Sequence, residues 1–459
     1  MRGEGVPITT VLPPKANNPS MTRAVLFITP ALVVTIVSVV LFSLLDGLPA
    51  ADFNIFSVTI LAAVIISLLS AAVIQILIYR IIEENKTYPI EAARRSVGLG
   101  MKYSFVSSLV VSALIFPYLT RVVGLSDQDF LFFAALHFLY SGAWVVISVY
   151  WATKHYLYPT IIFIVGYMVV FFATYGMYQV SPGNIIIGYT GGIAVLLILS
   201  LLSVSSAFPK SKTGKIISND LSRLPKMDSP TRWAIMFNTT YILAIFLDKI
   251  VIWIFQAQAT GGGLLISGTY TLASFLGLIP MLSIGTIAYF NDRTSLLVEK
   301  RYQGTQSQIK ARINEYRRAY WRSFMVTLLI SLILALVLIF VVVYYFPDFG
   351  STAVITSVAI GSFFLSGIVF NSVVLPIFGQ SKYSTLAVFM VVIGVLAAVP
   401  VISSEIWFAA LGFMTGCIMG FLISFIKTAS CLGKFEFNMF RFISQNTLRE
   451  LNQKRSYLS

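Results

Sequence analysis

The sequence predicts an all-α integral membrane protein, with about twelve transmembrane helices forming two six-helix bundles around a central cavity. Three observations lead there. Hydrophobic residues make up 57% of the chain and charged residues only 11%, against about 25% charged in soluble domains. The apolar residues gather in runs of about twenty, the length a helix needs to cross a bilayer, without the alternation that marks a membrane barrel strand. The runs also divide evenly about a polar, basic stretch at mid-chain.

Taken in order, residues 1–23 are polar and proline-bearing. They read as a cytoplasmic segment, and no cleavable signal peptide is expected because no small-residue site follows a short apolar core. Residues 24–205 form the first bundle, with spans near 24–45, 54–79, 101–122, 129–151, 158–180 and 184–205. Residues 206–231, basic and broken by proline, read as a cytoplasmic linker. The second bundle, 232–428, holds spans near 232–256, 265–290, 321–345, 350–376, 384–402 and 405–428. An amphipathic cytoplasmic tail, 429–459, closes the chain.

The loops set the orientation. Of the 32 lysines and arginines, Arg121 falls on an odd-numbered connection and Lys249 inside a span, and the other thirty lie on even-numbered connections, at their flanks or at the termini. By the positive-inside rule the even connections and both termini are cytoplasmic, so the protein is expected in the cytoplasmic membrane. Topology thus accounts for the net charge of +14, and no nucleic-acid partner is needed. Membrane lipids are the expected neighbours instead. Between the eighth and ninth spans, Thr305 and Gln308 stand at capping-box spacing, and Ile309, Ile313, Tyr316 and Tyr320 follow on one helical face. This reads as a surface helix whose basic residues meet anionic headgroups, with a docking surface for a cytoplasmic partner as the sharper alternative.

The candidate site lies in the seventh span. Asp248 and Lys249 are a charged pair deep in an apolar run, where one charge costs about 2.5–3.5 kcal/mol to insert. Side chains one residue apart on a helix diverge by about 100°, so the two are not expected to neutralise each other. Asn238, Tyr241, Asp248, Lys249 and Gln256 share a stripe of the helix that must avoid lipid. That stripe is read as one wall of a translocation cavity, with Asp248 as an ion-coupling or substrate-contacting carboxylate. His137, Tyr140 and Trp144 share a face of the fourth span and are candidates for the opposite wall; Tyr270 and Asn371 are weaker ones. Pro30, Pro117 and Pro280 are candidate hinges, and Gly261, Gly262 and Gly263 a flexible outer turn. Cys417 and Cys431 have neither disulfide nor metal spacing and read as packing residues.

Signatures of catalysis are missing: no Walker loop, no HExxH, no nucleophile elbow and no cytoplasmic Asp-x-Asp. Asp127 and Asp129 form an Asp-x-Asp on an outer loop, where nucleotide sugars are not supplied. Neither catalytic residues, a metal nor a cofactor is expected.

Three stretches carry a resemblance: FLDKIVIW at 246–253, ASFLGLIPMLSIGTIAYF at 273–290 and EKRYQGTQSQIKARINEYRRAYWRSF at 299–324. With the six-plus-six layout they resemble the multidrug, oligosaccharidyl-lipid and polysaccharide exporter superfamily, and within it the PelG family of exopolysaccharide exporters. The resemblance implies export of a polysaccharide or lipid-linked glycan by alternating access, with a cytoplasmic glycosyltransferase as partner. Weighed against it are an ion-coupled drug or metabolite antiporter of MATE type, a membrane glycosyltransferase and a structural subunit of a polysaccharide synthase.

Overall fold

The computed structural model describes residues 50–85, 89–209, 229–260, 268–299, 306–345, 352–402 and 405–437, with isolated positions between 25 and 41. The N-terminal segment, most of the linker, Gly261–Gly263, Thr305 and most of the tail lie outside the described residues, as do the readings that fall on them. Among the described residues eleven helices are long and apolar enough to cross a membrane. The first span is described only at scattered helical positions, among them Leu26, whose carbonyl accepts from Thr160 Oγ1 at 2.8 Å.

The second to sixth spans are α1 (Ala50–Glu84), α2 (Pro89–Arg121), α3 (Asp127–Ala152), α4 (Leu157–Val180) and α5 (Ile185–Ala207). The seventh is α6 (Ser229–Thr260). The eighth is broken into α7 (Gly268–Gly277), a 3-10 stretch Ile279–Gly285 and α8 (Thr286–Glu299). Then follow α9 (Gln306–Tyr345), α10 (Thr352–Val374), α11 (Ser381–Ile402) and α12 (Phe408–Gly433). Local chemistry sets several ends. Ser126 caps α3 by accepting from the Asp129 backbone at 3.1 Å and donating to its carboxylate at 2.6 Å. The Asp-x-Asp at Asp127 and Asp129 is thus a helix start, with both carboxylates at the positive end of the dipole.

Each half of the chain has its own core. One is built wholly from residues 41–208, around Phe133, Tyr150, Tyr167 and Leu196. The other half has two, one around Leu365, Val391 and Phe413 and one around Phe290, Tyr320 and Phe435. A smaller cluster joins the halves along α1 and α6, pairing Val58, Leu61 and Ile65 with Phe246 and Trp253. Polar contacts extend this seam: Asn238 donates to Gln75 at 3.2 Å, and Arg80 donates to Thr231 at 2.9 Å.

The segment from Gln306 to Trp321 is not a separate surface helix. It is the start of α9, which runs unbroken for 40 residues, about 60 Å at 1.5 Å per residue. No proline or glycine interrupts it. Its apolar face meets protein, since Ile313, Tyr316 and Tyr320 are buried against Phe290 and Phe435. The tightest packing is between α11 and α12. A Cβ on Gly412, Gly416 or Gly420 would stand 2.6, 2.6 or 2.1 Å from Gly394 O, Val391 Cα or Ala387 O. Spaced four apart, these glycines let two backbones touch, as small residues do between membrane helices.

Gly416→Val is therefore expected to lower the thermal unfolding midpoint, through an overpacking cost of about 1–3 kcal/mol. Gly98→Ala, where an added Cβ meets nothing within 4 Å, is the control and should leave it in place. Both are read by thermal unfolding of purified protein in detergent.

Candidate functional site

Asp248 and Lys249 are fully buried, each with a side chain 1% exposed, and they are paired with each other: Lys249 Nζ lies 3.0 Å from Asp248 Oδ1. This corrects the expectation that neighbours on a helix cannot neutralise one another. The Cβ directions do diverge, but the four-carbon stem of lysine is long enough to fold back. Its ammonium also donates to the Ile245 carbonyl one turn earlier, at 2.9 Å.

The second carboxylate oxygen is held from α7. Ser274 Oγ donates to Asp248 Oδ2 at 2.7 Å and Tyr270 OH donates to it at 3.1 Å. Tyr270 and Ser274 are four residues apart and so share one face of α7. Lys249 Nζ sits 5.1 Å from the centroid of the Phe275 ring, within cation–π range. One turn further along α6, the Trp253 indole donates to Thr271 Oγ1 at 2.9 Å. The whole array is a six-residue polar knot between α6 and α7, with opposite charges paired and donors set against acceptors. Phe275 and the neighbouring Phe246 pack into the α1–α6 seam, so the knot lies just behind the boundary between the two halves.

The other sequence candidates fall into different places. Asn238 and Tyr241 share the α6 stripe, but Asn238 bonds to α1 through Gln75, while Tyr241 stacks on Phe237 at 6.0 Å. Gln256 is half-buried two turns beyond Lys249. His137 is buried inside the first half, its Nε2 3.1 Å from Ser70 Oγ. Tyr140 shares a hydrogen bond with Tyr189 in the same core. Trp144 packs on Trp151 and Phe163 at about 6 Å. Asn371 accepts from Tyr320 at 2.6 Å and donates to Ser424 at 3.1 Å, tying α9, α10 and α12 together. Of the ten candidates, only Tyr270 joins Asp248 and Lys249.

Ser274 and Phe275 were not singled out in the sequence. A serine in an apolar run is common, and the signal that would have found it is its four-residue spacing from a tyrosine on a span next to a charged one. Of the proposed hinges, Pro280 begins the 3-10 stretch that breaks the eighth span. Pro117 sits inside the continuous α2, and Pro30 is a buried helical position of the first span. Cys417 and Cys431 are both buried and form no disulfide, and the described residues contain no cluster of metal-ligating side chains.

A family model described as "PelG: Putative exopolysaccharide Exporter (EPS-E)" matches residues 23–440. Among solved structures, an outward-facing multidrug resistance MATE family transporter of the MOP superfamily is similar at TM-score 0.63 and 11% identity, over 91% of this chain and 97% of that one. MATE in its bent conformation matches at 0.60 and 12%, over 91% and 97%. MATE in its straight conformation matches at 0.60 and 12%, over 91% and 98%. At such identities these structures speak for the fold. No curated protein sequence matches the chain.

Lys249→Met is expected to destabilise the protein by about 3–5 kcal/mol, because it strands a buried carboxylate. Adding Asp248→Asn should restore much of that loss, since the neutral amide still accepts from Ser274 and Tyr270. A double-mutant cycle on thermal stability reads the coupling, and additive losses would contradict a functioning pair.

Proposed function

The chain belongs to the PelG family of exopolysaccharide exporters, and from that membership we propose that it carries a polysaccharide or lipid-linked glycan out across the cytoplasmic membrane. The proposed mechanism is alternating access of the two halves. The observation that carries this reading is the placement of the Asp248–Lys249 knot behind the α1–α6 seam. Rocking of one half against the other must part this thin apolar contact, because each half keeps its own core. Once the seam parts at Phe246 and Phe275, the pair behind it meets water. A hydroxyl-rich cargo, or a cation, can then take over the contacts that Tyr270, Ser274 and Lys249 make at rest. Asn238, Tyr241 and Gln256, on the same side of α6, would line the opened route.

The charge asymmetry of the loops supports a cytoplasmic placement of both termini and the basic loops, and the protein is proposed to act without catalysis or cofactor. A cytoplasmic glycosyltransferase is the proposed partner, and α9 supports it. The apolar part of this helix begins near Phe324, and about 30 Å suffices to cross the hydrocarbon. The preceding turns, with Lys310, Arg318 and Arg322 exposed, therefore stand away from the membrane, held upright by Phe290 and Phe435.

The likeness to MATE folds keeps one competing reading, an ion-coupled antiporter of small molecules. Asp248→Asn and Ser274→Ala separate the two in a polymer-producing cell. Export predicts loss of surface polymer with Asp248→Asn and a reduction with Ser274→Ala, each normalised to the protein present in the membrane, while dye efflux stays unchanged. Dye efflux that depends on Asp248, with polymer output intact, would favour the antiporter and sink the export reading.

A further inference from the structure

The seam between α11 and α12 ends in two ammonium groups set on one aromatic ring. Lys427 Nζ lies 4.5 Å from the centroid of the Tyr383 ring and Lys382 Nζ lies 5.2 Å from it, both within cation–π range. Sharing the ring keeps the two charges no more than about 10 Å apart. They come from different helices. Lys382 and Tyr383 open α11, while Lys427 stands two turns beyond Gly420, on the face of α12 that meets α11. Lys427 is half-buried in the seam and Lys382 is exposed at its edge.

Among the described residues, nothing but the ring answers either charge. Neither ammonium donates to a carbonyl or hydroxyl, and the carboxylates of Glu315 on α9 and Glu436 beyond α12 pair with neither. Two arginines on the same basic side behave differently. Arg80 donates to Thr231 Oγ1 at 2.9 Å and lies 3.5 Å from Glu83. Arg317 donates to the Gly433 carbonyl at 3.2 Å. An ammonium has three protons to give, and two like charges are here held close together with no anion between them.

The surface below the pair is apolar. After Lys382, the exposed residues of α11 are Leu386, Phe389 and Ile393, spaced so that all four share one stripe. On α12, Met419, Leu422 and Ile426 form a second exposed stripe, which ends one residue before Lys427. The exposed apolar surface therefore stops about one turn short of Lys382 and beside Lys427. That is the level at which headgroups succeed acyl chains.

We infer that the basic end of the α11–α12 seam binds an anionic phospholipid, its phosphate between Lys382 and Lys427 and its acyl chains along Leu386, Phe389, Leu422 and Ile426. Basic pockets between spans hold acidic headgroups in this way. A zwitterionic lipid brings an ammonium of its own, which the two lysines repel. Free phosphate carries the same anion but has nothing to lay on the apolar stripes, so a lipid is the ligand that uses both halves of the site. The inference is independent of what the protein exports.

Native mass spectrometry of the full chain tests it, with the protein released from mild detergent containing equal amounts of phosphatidylglycerol and phosphatidylcholine. The wild-type protein should retain phosphatidylglycerol several-fold more than phosphatidylcholine. Lys382→Gln with Lys427→Gln should lower that retention at least several-fold. Lys434→Gln, which removes an exposed cation just past α12, should leave it in place. Equal retention of the two lipids by the wild-type protein overturns the inference whether or not the variants fold. So does phosphatidylglycerol retention that the double variant leaves untouched. Retention abolished by millimolar inorganic phosphate overturns the assignment to a lipid.

Discussion

A carboxylate in the middle of a membrane protein has to be satisfied on every side, and much of the second half is arranged to do so. Asp248 receives Lys249 on one oxygen and Tyr270 and Ser274 on the other. Lys249 in turn spends a second proton on the Ile245 carbonyl. The pair carries no net charge, so the insertion cost of a lone ion is largely offset within the knot. The geometry also fixes a register. Only a helix with hydroxyls one turn apart, set at the depth of Asp248, completes the shell, and α7 is the segment that provides it. Seen this way, the pair specifies where α7 lies on α6 more than it stabilises the fold.

The spans were legible because lipid leaves backbone no choice but a helix, and a helix across a bilayer needs a long apolar run. The same logic exposed Asp248 and Lys249, as charges where no charge is expected. Their partnership was not legible. It depends on a flexible stem curling back along its own helix, which Cβ directions do not report. The α9 extension was misread as a separate surface helix although the sequence held the signal, an absence of helix breakers from Gln306 to Tyr345. The amphipathic face was correctly located, and what it packs against is aromatic protein. Gly412, Gly416 and Gly420 spell a small-residue repeat that a search for charged and aromatic residues passes over. His137 and Tyr140 share a helix face as expected, yet that face turns into the first half's own interior, because sequence periodicity gives a direction around a helix and not the neighbour it meets.

The broken eighth span links the polar knot to motion. Irregular backbone is tolerated at membrane depth only where protein shields it, and here the shield is specific. The Pro280 carbonyl accepts from Ser331 of α9 at 3.1 Å and lies 3.5 Å from Ser366 of α10. Thr286, at the start of α8, shares a hydrogen bond with Thr327 of α9. The break is thus anchored to α9 and α10, while α7 before it is a ten-residue helix fastened to α6 through Asp248. Gly277 lies against Val358 so closely that an added Cβ would stand 2.6 Å from it, which holds the foot of α7 to α10. A short rigid helix pinned at its foot and tied by a carboxylate along its length has few ways to move. Pivoting about the Pro280 break would lengthen the contacts of Tyr270 and Thr271 with α6 first and that of Ser274 with Asp248 next, in order of distance from the pivot. Under the proposed export, competition for that carboxylate by a hydroxylated cargo would loosen the same bonds. The chemistry of the pair and the mechanics of the broken span therefore act on one coordinate, the distance between α6 and α7.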